Sequence, residues 1–264
     1  MSISYSPGTM ADRILNVSAL SKSFGAITAL DGVDIEIARG RIHGIIGPNG
    51  SGKTTLFNCV TGLLRAEAGS ILFDTREITS LKPDVIANLG IRRTFQAGKI
   101  INSLTVLENV MAGVNGGIWG SALDVAFHLP FVRSRREREI EERAWRAMRL
   151  TGIEAAAERW AADLVWTERQ LVQIARALVA DPRLLLLDEP ASGMGGREIE
   201  SVEEIIRQVR DRGITVVVVS HDVRMLMNLS DTVTVLNFGE KIAEGTPREV
   251  QSDPRVLEAY LGAE

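Results

Sequence analysis

The chain contains the nine residues Gly47-Pro48-Asn49-Gly50-Ser51-Gly52-Lys53-Thr54-Thr55, which match the phosphate-loop pattern G-x-x-x-x-G-K-[ST] at every fixed position. An apolar run ending at Ile45-Ile46 precedes them and predicts a buried strand that leads into the loop. The glycines let backbone N–H groups turn around an anion, the Lys53 ammonium can contact the outer phosphates, and the Thr54 hydroxyl can bind Mg²⁺. A helix that starts here adds the positive end of its dipole. The stretch therefore predicts a nucleoside triphosphate site.

An acidic motif follows a second apolar run, in which Leu184-Leu185-Leu186-Leu187 continues into Asp188-Glu189-Pro190. Buried carboxylates are unfavourable unless they are paired or bind a metal, so core packing alone does not explain two adjacent acids here. Asp188 is the expected partner of a magnesium ion. Glu189 is the expected base that orients or deprotonates the attacking water.

One of the three histidines directly follows a predicted strand, because the run 214–219 ends in Ser220-His221-Asp222. This position corresponds to the carboxyl edge of a parallel sheet, where such folds bind ligands. We therefore expect His221 to sense the γ-phosphate. His43 lies inside the strand before the phosphate loop and is expected to be a hydrogen-bonded core residue, whereas His128 has no predicted partner.

Two further residues are candidates because of their position. Gln96 closes Arg92-Arg93-Thr94-Phe95-Gln96, where its side chain could reach the metal and report the state of the site to the region that follows. Phe24 precedes the phosphate loop at a distance suited to stacking on a purine. Neither residue is specific alone, since an isolated Phe is more often part of a core.

Apolar strand-like runs alternate with helical patterns over much of the chain. Unbroken apolar strands of this kind indicate a mostly parallel sheet covered by helices on both faces. The nucleotide is then expected at the carboxyl edge of that sheet. The predicted strands are 14–20, 33–37, 41–46, 70–73, 184–187, 215–219 and 232–236, and the predicted helices are 53–62, 198–212 and 223–229.

The middle third of the chain has a different pattern. From about Thr105 to Ala180 it shows helix after helix, which predicts an inserted helical region. Within it, residues 113–120 are glycine-rich and predict a loop. Residues 133–149 mix arginine with glutamate, which is typical of a solvated helix with i,i+4 ion pairs.

Composition excludes several classes of protein. With 45% hydrophobic and 24% charged residues, the chain is an ordinary globular sequence. The net charge of −4 argues against nucleic acid as a partner, because such binding relies on clustered cations. The apolar runs fall far short of the roughly 20 residues of a membrane span, and no secretory signal is predicted. Cys59 is the single cysteine, which excludes an internal disulfide, and it is expected to be a small buried hydrophobe.

The order of these elements resembles the ATP-binding subunits of ABC transporters over nearly the whole chain. The resemblance includes the aromatic residue, the phosphate loop, the glutamine, Ile174-Ala175-Arg176-Ala177-Leu178 in the helical region, and the acidic and histidine motifs. It is greatest to the subunits that energise uptake of branched-chain amino acids, judged also by Arg93-Thr94-Phe95-Gln96, residues 104–110 and Glu258-Ala259-Tyr260-Leu261-Gly262.

This resemblance implies an α/β fold, a P-loop NTPase of the ABC type, with a mostly parallel sheet core, an antiparallel β part and an inserted helical subdomain. A single domain, 1–264, would comprise a nucleotide-binding core of 14–104 and 181–264 and a helical subdomain of about 105–180. In this family the helical subdomain contacts a membrane-embedded permease, and two ATPase subunits sandwich two ATP molecules head to tail. The implied cofactors are ATP and Mg²⁺, with Phe24 stacking on adenine and Gln96 joining Thr54 and Asp188 at the metal.

The implied function is ATP hydrolysis that drives an importer of branched-chain amino acids or related polar solutes. The subunit would lie in the cytoplasm on the inner face of the membrane, with an extracytoplasmic solute-binding protein as an indirect partner. Two alternatives stay open, a soluble ABC ATPase without a permease and a regulatory module that binds nucleotide. Asp188, Glu189 and His221 are intact, which counts against a module that does not hydrolyse ATP.

The sequence departs from the family at the two elements that a subunit offers to its partner's ATP. The family signature is LSGGQ or the looser L-x-[YF]-G-x-Q, and only the leucine is kept in Leu164-Val165-Trp166-Thr167-Glu168-Arg169. Val165 lacks a serine hydroxyl, and Thr167 places a β-branched side chain where the family has glycine. In the D-loop, residues 191–195, Gly195 replaces the usual Asp or Asn. We therefore expect an asymmetric heterodimer in which one composite site is impaired, with a homodimer as the alternative.

Overall fold

The computed structural model describes residues 12–94, 100–114 and 135–261, and it places their strands in two sheets. The phosphate loop connects the third strand to the first helix. The strands are β1 (Arg13–Phe24), β2 (Ile27–Ala38), β3 (Ile42–Ile46), β4 (Ala68–Phe73), β5 (Arg76–Glu77), β6 (Ile91–Arg93), β7 (Leu184–Asp188), β8 (Thr215–Val219), β9 (Thr232–Asn237) and β10 (Glu240–Gly245).

The larger sheet has the strand order β10-β9-β3-β8-β7-β6. Strand β3 pairs in parallel with β8 and β9, and β7 pairs in parallel with β6 and β8, whereas β10 is antiparallel to β9. The second sheet is antiparallel, in the order β2-β1-β4-β5. This arrangement confirms the expected α/β class, and the carboxyl ends of β3, β7 and β8 lie at one edge.

Helices cover both faces of the parallel sheet. The four leucines of β7 show this alternation directly, because Leu185 and Leu187 belong to one buried cluster and Leu184 and Leu186 to another. The first cluster includes helices from the middle of the chain, and the second includes the helix after the phosphate loop. The helices are α1 (Lys53–Val60), α2 (Pro83–Asn88), α3 (Val106–Met111), α4 (Arg135–Thr151), α5 (Trp166–Leu178), α6 (Gly196–Asp211), α7 (Val223–Leu229), α8 (Pro247–Ser252) and α9 (Pro254–Leu261).

Between residues 105 and 180, the described chain consists of α3, α4, α5 and two short 3₁₀ turns, 154–156 and 161–163, with one isolated bridge from Thr105 to Trp160. Helix α4 carries the predicted i,i+4 pair Arg135–Glu139 on its exposed face. Residues 115–134, which include His128 and most of the predicted glycine-rich loop, lie outside the described residues. In the part of the chain that is described, every helix is too short or too polar to cross a bilayer.

Two expectations for single residues are confirmed on β3 and α1. The His43 side chain is buried, and its Nε2 lies 2.8 Å from the Thr234 hydroxyl oxygen. Burial lowers the pKa of His43 to about 4. Cys59 is buried against the second cluster, and burial raises the pKa of its thiol to about 11, which makes it unreactive.

Candidate active site

A cavity of about 310 Å³ opens at the carboxyl edge of the sheet, next to the phosphate loop. Most of the residues singled out from the sequence meet there, although they come from distant parts of the chain. The cavity is lined by Phe24, Ala29, Asn49, Gly50, Ser51, Gly52, Lys53, Thr54, Thr55, Asp188, Glu189 and Val219. The arrangement gives one concave space with backbone N–H groups, a cation and carboxylates in its wall.

The phosphate loop depends on glycine where its backbone approaches other chain segments. A Cβ on Gly47 would lie 2.1 Å from the carbonyl oxygen of Leu236, and a Cβ on Gly52 would lie 2.4 Å from that of Ala29. Gly52 has a φ of 102° and caps α1, and among the described residues no side chain caps this helix end. The first N–H groups of α1 are therefore available to an anion.

Lys53 lies along the inside of the loop. Its Nζ donates to the carbonyl oxygens of Gly47 and Pro48 at 2.7 and 2.8 Å, and it lies 3.3 Å from the Ser51 hydroxyl. Burial lowers the pKa of Lys53, while the nearby carboxylates of Glu189 and Asp188 act in the opposite direction. The ammonium group is thus held at the site by neutral acceptors that an incoming phosphate can replace.

Asp188 is the last residue of β7 and is almost fully buried. Its N–H donates to the Thr94 hydroxyl at 3.2 Å, and its Oδ2 accepts from Arg93 Nη2 at 2.7 Å. Its other oxygen, Oδ1, has no hydrogen-bond partner within the described ranges. The carboxylate therefore has one oxygen held by the protein and one left for a ligand.

Glu189 adopts a backbone conformation that non-glycine residues rarely use, with a φ of 52°. Its N–H donates to the Val219 carbonyl at 2.9 Å, which fixes this strained residue to β8. Its Oε2 lies 2.7 Å from His221 Nδ1 and accepts from the His221 N–H at 3.3 Å. Strain of this kind concentrates at functional sites.

Phe24 and Gln96 are the two further candidates, and of these only Phe24 lies within the described residues. Phe24 ends β1, is 47% exposed and lines the cavity, with Lys22 Nζ 5.3 Å from its ring centre. An exposed aromatic face beside the loop is what stacking on a base requires. Gln96 lies outside the described residues, so its proposed contact with the metal stays a prediction.

Three residues at the site were not singled out individually by sequence reasoning. Arg93 and Asn58 are hydrogen-bonded to each other beside Asp188, with Nη1 and Oδ1 2.6 Å apart. Tyr260 on α9 lies near the Gly47 N–H of the phosphate loop, and burial raises the pKa of its hydroxyl. Arg93 and Tyr260 lie in segments that carried the family resemblance, but the pattern gave no sign of these contacts.

The signature segment, residues 164–168, contacts the D-loop, residues 191–195. Trp166 Nε1 donates to the Ser192 carbonyl at 2.7 Å. The Thr167 hydroxyl donates to Glu198 Oε1 at 2.9 Å, and the Gly195 N–H donates to Glu198 Oε2 at 2.8 Å. These two hydrogen bonds lower the pKa of Glu198, the backbone bond more than the Thr167 bond. Thr167 of the signature segment and Gly195 of the D-loop thus share one carboxylate.

The fold and the phosphate loop define a P-loop nucleoside triphosphatase of α/β class. Residues 30–192 match the ABC transporter family, and residues 240–264 match the branched-chain amino acid ATP-binding cassette transporter family. The chain belongs to the ABC transporter family, in which it is an ATP-binding cassette and an ATPase.

Known proteins of this family align with nearly the whole chain. The chain is 35% identical over 254 residues to the high-affinity branched-chain amino acid transport ATP-binding protein BraF of Pseudomonas aeruginosa, covering 96% of this chain and 99% of BraF. It is similar to the crystal structure of an ABC transporter cassette in its ADP conformation, with 34% identity, a TM-score of 0.83, and 95% and 99% of the two chains covered. A dimeric cassette bound to ADP and Pi is 28% identical with a TM-score of 0.73, covering 89% of this chain and 99% of its own.

Proposed function

We propose that the chain is the ATP-hydrolysing subunit of an ABC importer for branched-chain amino acids or related polar solutes. The observation that carries the proposal is the single cavity that brings Lys53 and Thr54 together with Asp188 and Glu189. The substrate class is supported by the match of residues 240–264 and by the name of BraF. The transported solute is selected by the permease and the receptor, which are separate chains.

Thr54 and Asp188 are the residues that would hold Mg²⁺. Both offer oxygen donors, which magnesium prefers, and both line the same cavity. The Oδ1 atom of Asp188 is without a partner in the described structure and fits this role. A bound magnesium ion would neutralise charge on the β- and γ-phosphates. Gln96 is the proposed third contributor.

Glu189 is the proposed general base, because its carboxylate lies in the cavity wall and would take a proton from the attacking water. The His221 imidazole orients this carboxylate through the Nδ1 contact of 2.7 Å. Its Nε2 lacks a partner in the described chain and would contact the γ-phosphate. Lys53 would neutralise the outer phosphates, and Phe24 would stack on the adenine.

The importer requires partners that contact different parts of the chain. We place the subunit in the cytoplasm, on the inner face of the membrane, with a helical subdomain of about 105–180 against the permease. Its other partner is a second ATPase subunit, as in the dimeric cassette related to this chain. Core segments 14–104 and 181–264 would carry the nucleotide.

The second ATPase subunit is proposed to be a different protein rather than a second copy. Val165 is 63% exposed and cannot donate a hydrogen bond from its side chain to a phosphate. The Thr167 hydroxyl is already donated to Glu198. The Val165 N–H at the start of α5 donates to Glu168 Oε2 at 3.1 Å, so a carboxylate occupies a helix end suited to anions. This surface is poorly built to complete a partner's ATP site.

Uptake in cells tests the proposed function. A strain lacking the gene should lose uptake of labelled leucine, the wild-type chain should restore it, and Lys53→Ala should not, because the variant lacks the phosphate-binding ammonium. Lys241→Ala, which removes an exposed lysine paired with Glu244, is the matched control and should restore uptake. Unchanged leucine uptake in the deletion strain, with other solutes also unaffected, would contradict an importer role.

A further inference from the structure

We propose that Arg93 is a positioning residue of the metal site, which fixes the Asp188 carboxylate relative to the helix that carries Thr54. The inference rests on the proposed ATPase function, because it concerns the magnesium ligands of that site. Arg93 is the last residue of β6, the strand beside β7 in the parallel sheet. Its guanidinium group therefore starts from the same sheet edge as Asp188.

Three contacts of the Arg93 guanidinium with other described residues join two elements. Nη2 donates to Asp188 Oδ2 at 2.7 Å, and Nη1 donates to Asn58 Oδ1 at 2.6 Å. The guanidinium carbon lies 5.3 Å from the centre of the Phe57 ring, a cation–π distance. Asn58 and Phe57 both belong to α1, which begins at the phosphate loop. One side chain thus connects the end of β7 to α1.

Thr54 stands one helical turn before Asn58 on the same helix. Holding Asn58 and Asp188 on one planar group therefore restricts the separation of Asp188 and Thr54, the two proposed metal ligands. The Arg fork suits this task, because its N–H groups have fixed directions. A lysine ammonium is a point charge on a flexible stem and would not impose the same geometry.

Burial of the pair indicates that its role is not simply stability. The side chains of Arg93 and Asp188 are only 5% and 4% exposed. Replacing a buried ion pair by apolar residues is often neutral or stabilising, so such a pair is weak evidence for a stability role. Here the pair holds the Asp188 carboxylate at the end of an apolar strand and leaves Oδ1 to a ligand. Residues that orient a metal ligand in this way often set metal affinity.

The test measures how strongly Mg²⁺ tightens binding of the non-hydrolysable analogue AMP-PNP to the full chain. Calorimetry in EDTA and in MgCl₂ gives the ratio of the Kd in EDTA to the Kd in MgCl₂, which is larger when Mg²⁺ tightens binding more. For Arg93→Gln, which loses the charge and the fork, we expect this ratio to fall by about 10- to 100-fold. Binding in EDTA should stay close to wild type, because Lys53 and the loop are unchanged.

Two further variants separate positioning from charge and from folding. Arg93→Lys keeps the charge, and it should recover little of the lost ratio if the fork is what matters. Asn58→Leu removes the hydrogen bond to α1 but leaves the Phe57 contact and the Asp188 pair, so it should lower the ratio less than Arg93→Gln does. The matched control is Arg183→Gln, because Arg183 also pairs with an aspartate, Asp74, and also lies over a phenylalanine ring, at 5.4 Å from Phe73. The control pair lies outside the cavity and should not change the ratio.

A double-mutant comparison completes the test. If Arg93 acts through Asp188, adding Arg93→Gln to Asp188→Asn should lower the ratio no further than Asp188→Asn alone. The inference is overturned if Arg93→Gln keeps the wild-type ratio, if Arg93→Lys restores it fully, or if binding in EDTA falls as much as in MgCl₂. Should Arg93→Gln fail to fold, Asn58→Leu and Arg93→Lys decide alone. Absence of AMP-PNP binding by the wild-type chain would instead count against the proposed function.

Discussion

The nucleotide side of this cassette and the surface proposed to face its partner are built differently. On the nucleotide side, defined as Lys53, Thr54, Asp188, Glu189 and His221, the side chains fit a phosphate and a metal, and the acids are buried. On the partner-facing surface, defined as residues 164–168 and 191–195, Val165 and Trp166 are exposed. Hydrogen-bonding groups there bind other groups of the same chain, as Thr167 and Gly195 both bind Glu198.

The comparison shows that loss of a signature need not mean loss of the surrounding structure. Trp166 and Thr167 add two hydrogen bonds from the signature segment, one to the D-loop at Ser192 and one to the start of α6 at Glu198. A glycine at 167 could not make the second of them. We infer that the partner-facing surface exchanged contacts with a partner's phosphate for contacts within the chain, while the nucleotide side kept its own.

The largest expected effect is on the nucleotide side. Glu189→Gln should lower ATP turnover by about 10²- to 10⁴-fold, because it removes the proposed base. MgATP affinity should be retained, since the amide has the size of the carboxylate. Single-turnover assays with the partner present check this, and Glu204→Gln on the exposed face of α6 should be silent. A Glu189→Gln variant with wild-type turnover would show that Glu189 is not the general base.

Acid should act in different pH ranges on His43, in the strand that leads into the phosphate loop, and on Glu198, which bonds to the partner-facing surface. His43 has a pKa of about 4 when folded and 6.5 when unfolded, so the unfolded chain binds more protons between these values. The contribution of His43 to the free energy of unfolding is therefore fully present above pH 6.5, and it falls by about 3 kcal/mol as the pH drops towards 4. Denaturant unfolding at several pH values measures how the free energy of unfolding changes with pH. This change should be smaller in His43→Gln.

The lowered pKa of Glu198 places its effect on stability at a lower pH than that of His43. Its contribution is present above the usual glutamate pKa and is lost only as the pH falls through the lower folded value. Near pH 5.5 the change of the free energy of unfolding with pH should therefore depend on His43 and not on Glu198. An equal response of Glu198→Gln and His43→Gln at this pH would contradict the assignment.

Rebuilding the signature should raise activity of the chain alone. Val165→Ser with Thr167→Gly adds a hydroxyl and removes a side chain where the partner's phosphate is expected. A hydrogen bond to a charged group contributes about 1.5–3 kcal/mol, so homodimer turnover should rise by about ten- to a hundredfold. Val165→Ala with Thr167→Ala is the matched control, because it removes bulk without adding a donor or a glycine. An equal gain in the control would show that bulk alone was limiting.

The smallest effect is expected for the contact between the signature segment and the D-loop. Trp166→Phe removes the donor to the Ser192 carbonyl, a bond that contributes about 0.5–1.5 kcal/mol. Amide hydrogen exchange at residues 192–195 should become faster by up to about tenfold. Trp160→Phe, at another exposed tryptophan of the same helical region, should leave this exchange unchanged.

Long apolar runs and fixed motifs made much of the fold predictable. Strands β7, β8 and β9 were predicted to within one residue at each end. Strand β6 was missed because its three residues include Arg92 and Arg93, which give no apolar pattern. The exposed edge strand β10 was missed for a similar reason. Helix α1 ends at Val60, two residues earlier than predicted, because Gly62 has a φ of 72° and terminates the turn.

The residues of the cavity were predictable individually, but their contacts with other side chains were not. Arg93 and Asp188 are 95 positions apart, and Thr167 and Glu198 are 31 apart, so no local period connects them. Sheet order and helix packing bring these pairs together. The sequence could show that Val165 and Thr167 depart from a pattern, whereas only the structure shows that Thr167 bonds to Glu198 instead.

Mixed dimers test the central claim most directly, which is that this chain is competent on its nucleotide side and deficient towards its partner. One version is wild type, and the other carries Val165→Ser, Thr167→Gly, Gly195→Asp and Glu189→Gln. Only a mixed dimer joins an intact base to a rebuilt signature. We predict that the mixture hydrolyses ATP at least ten times faster than either version alone. Wild-type chain alone turning over ATP as fast as the mixture would contradict the account.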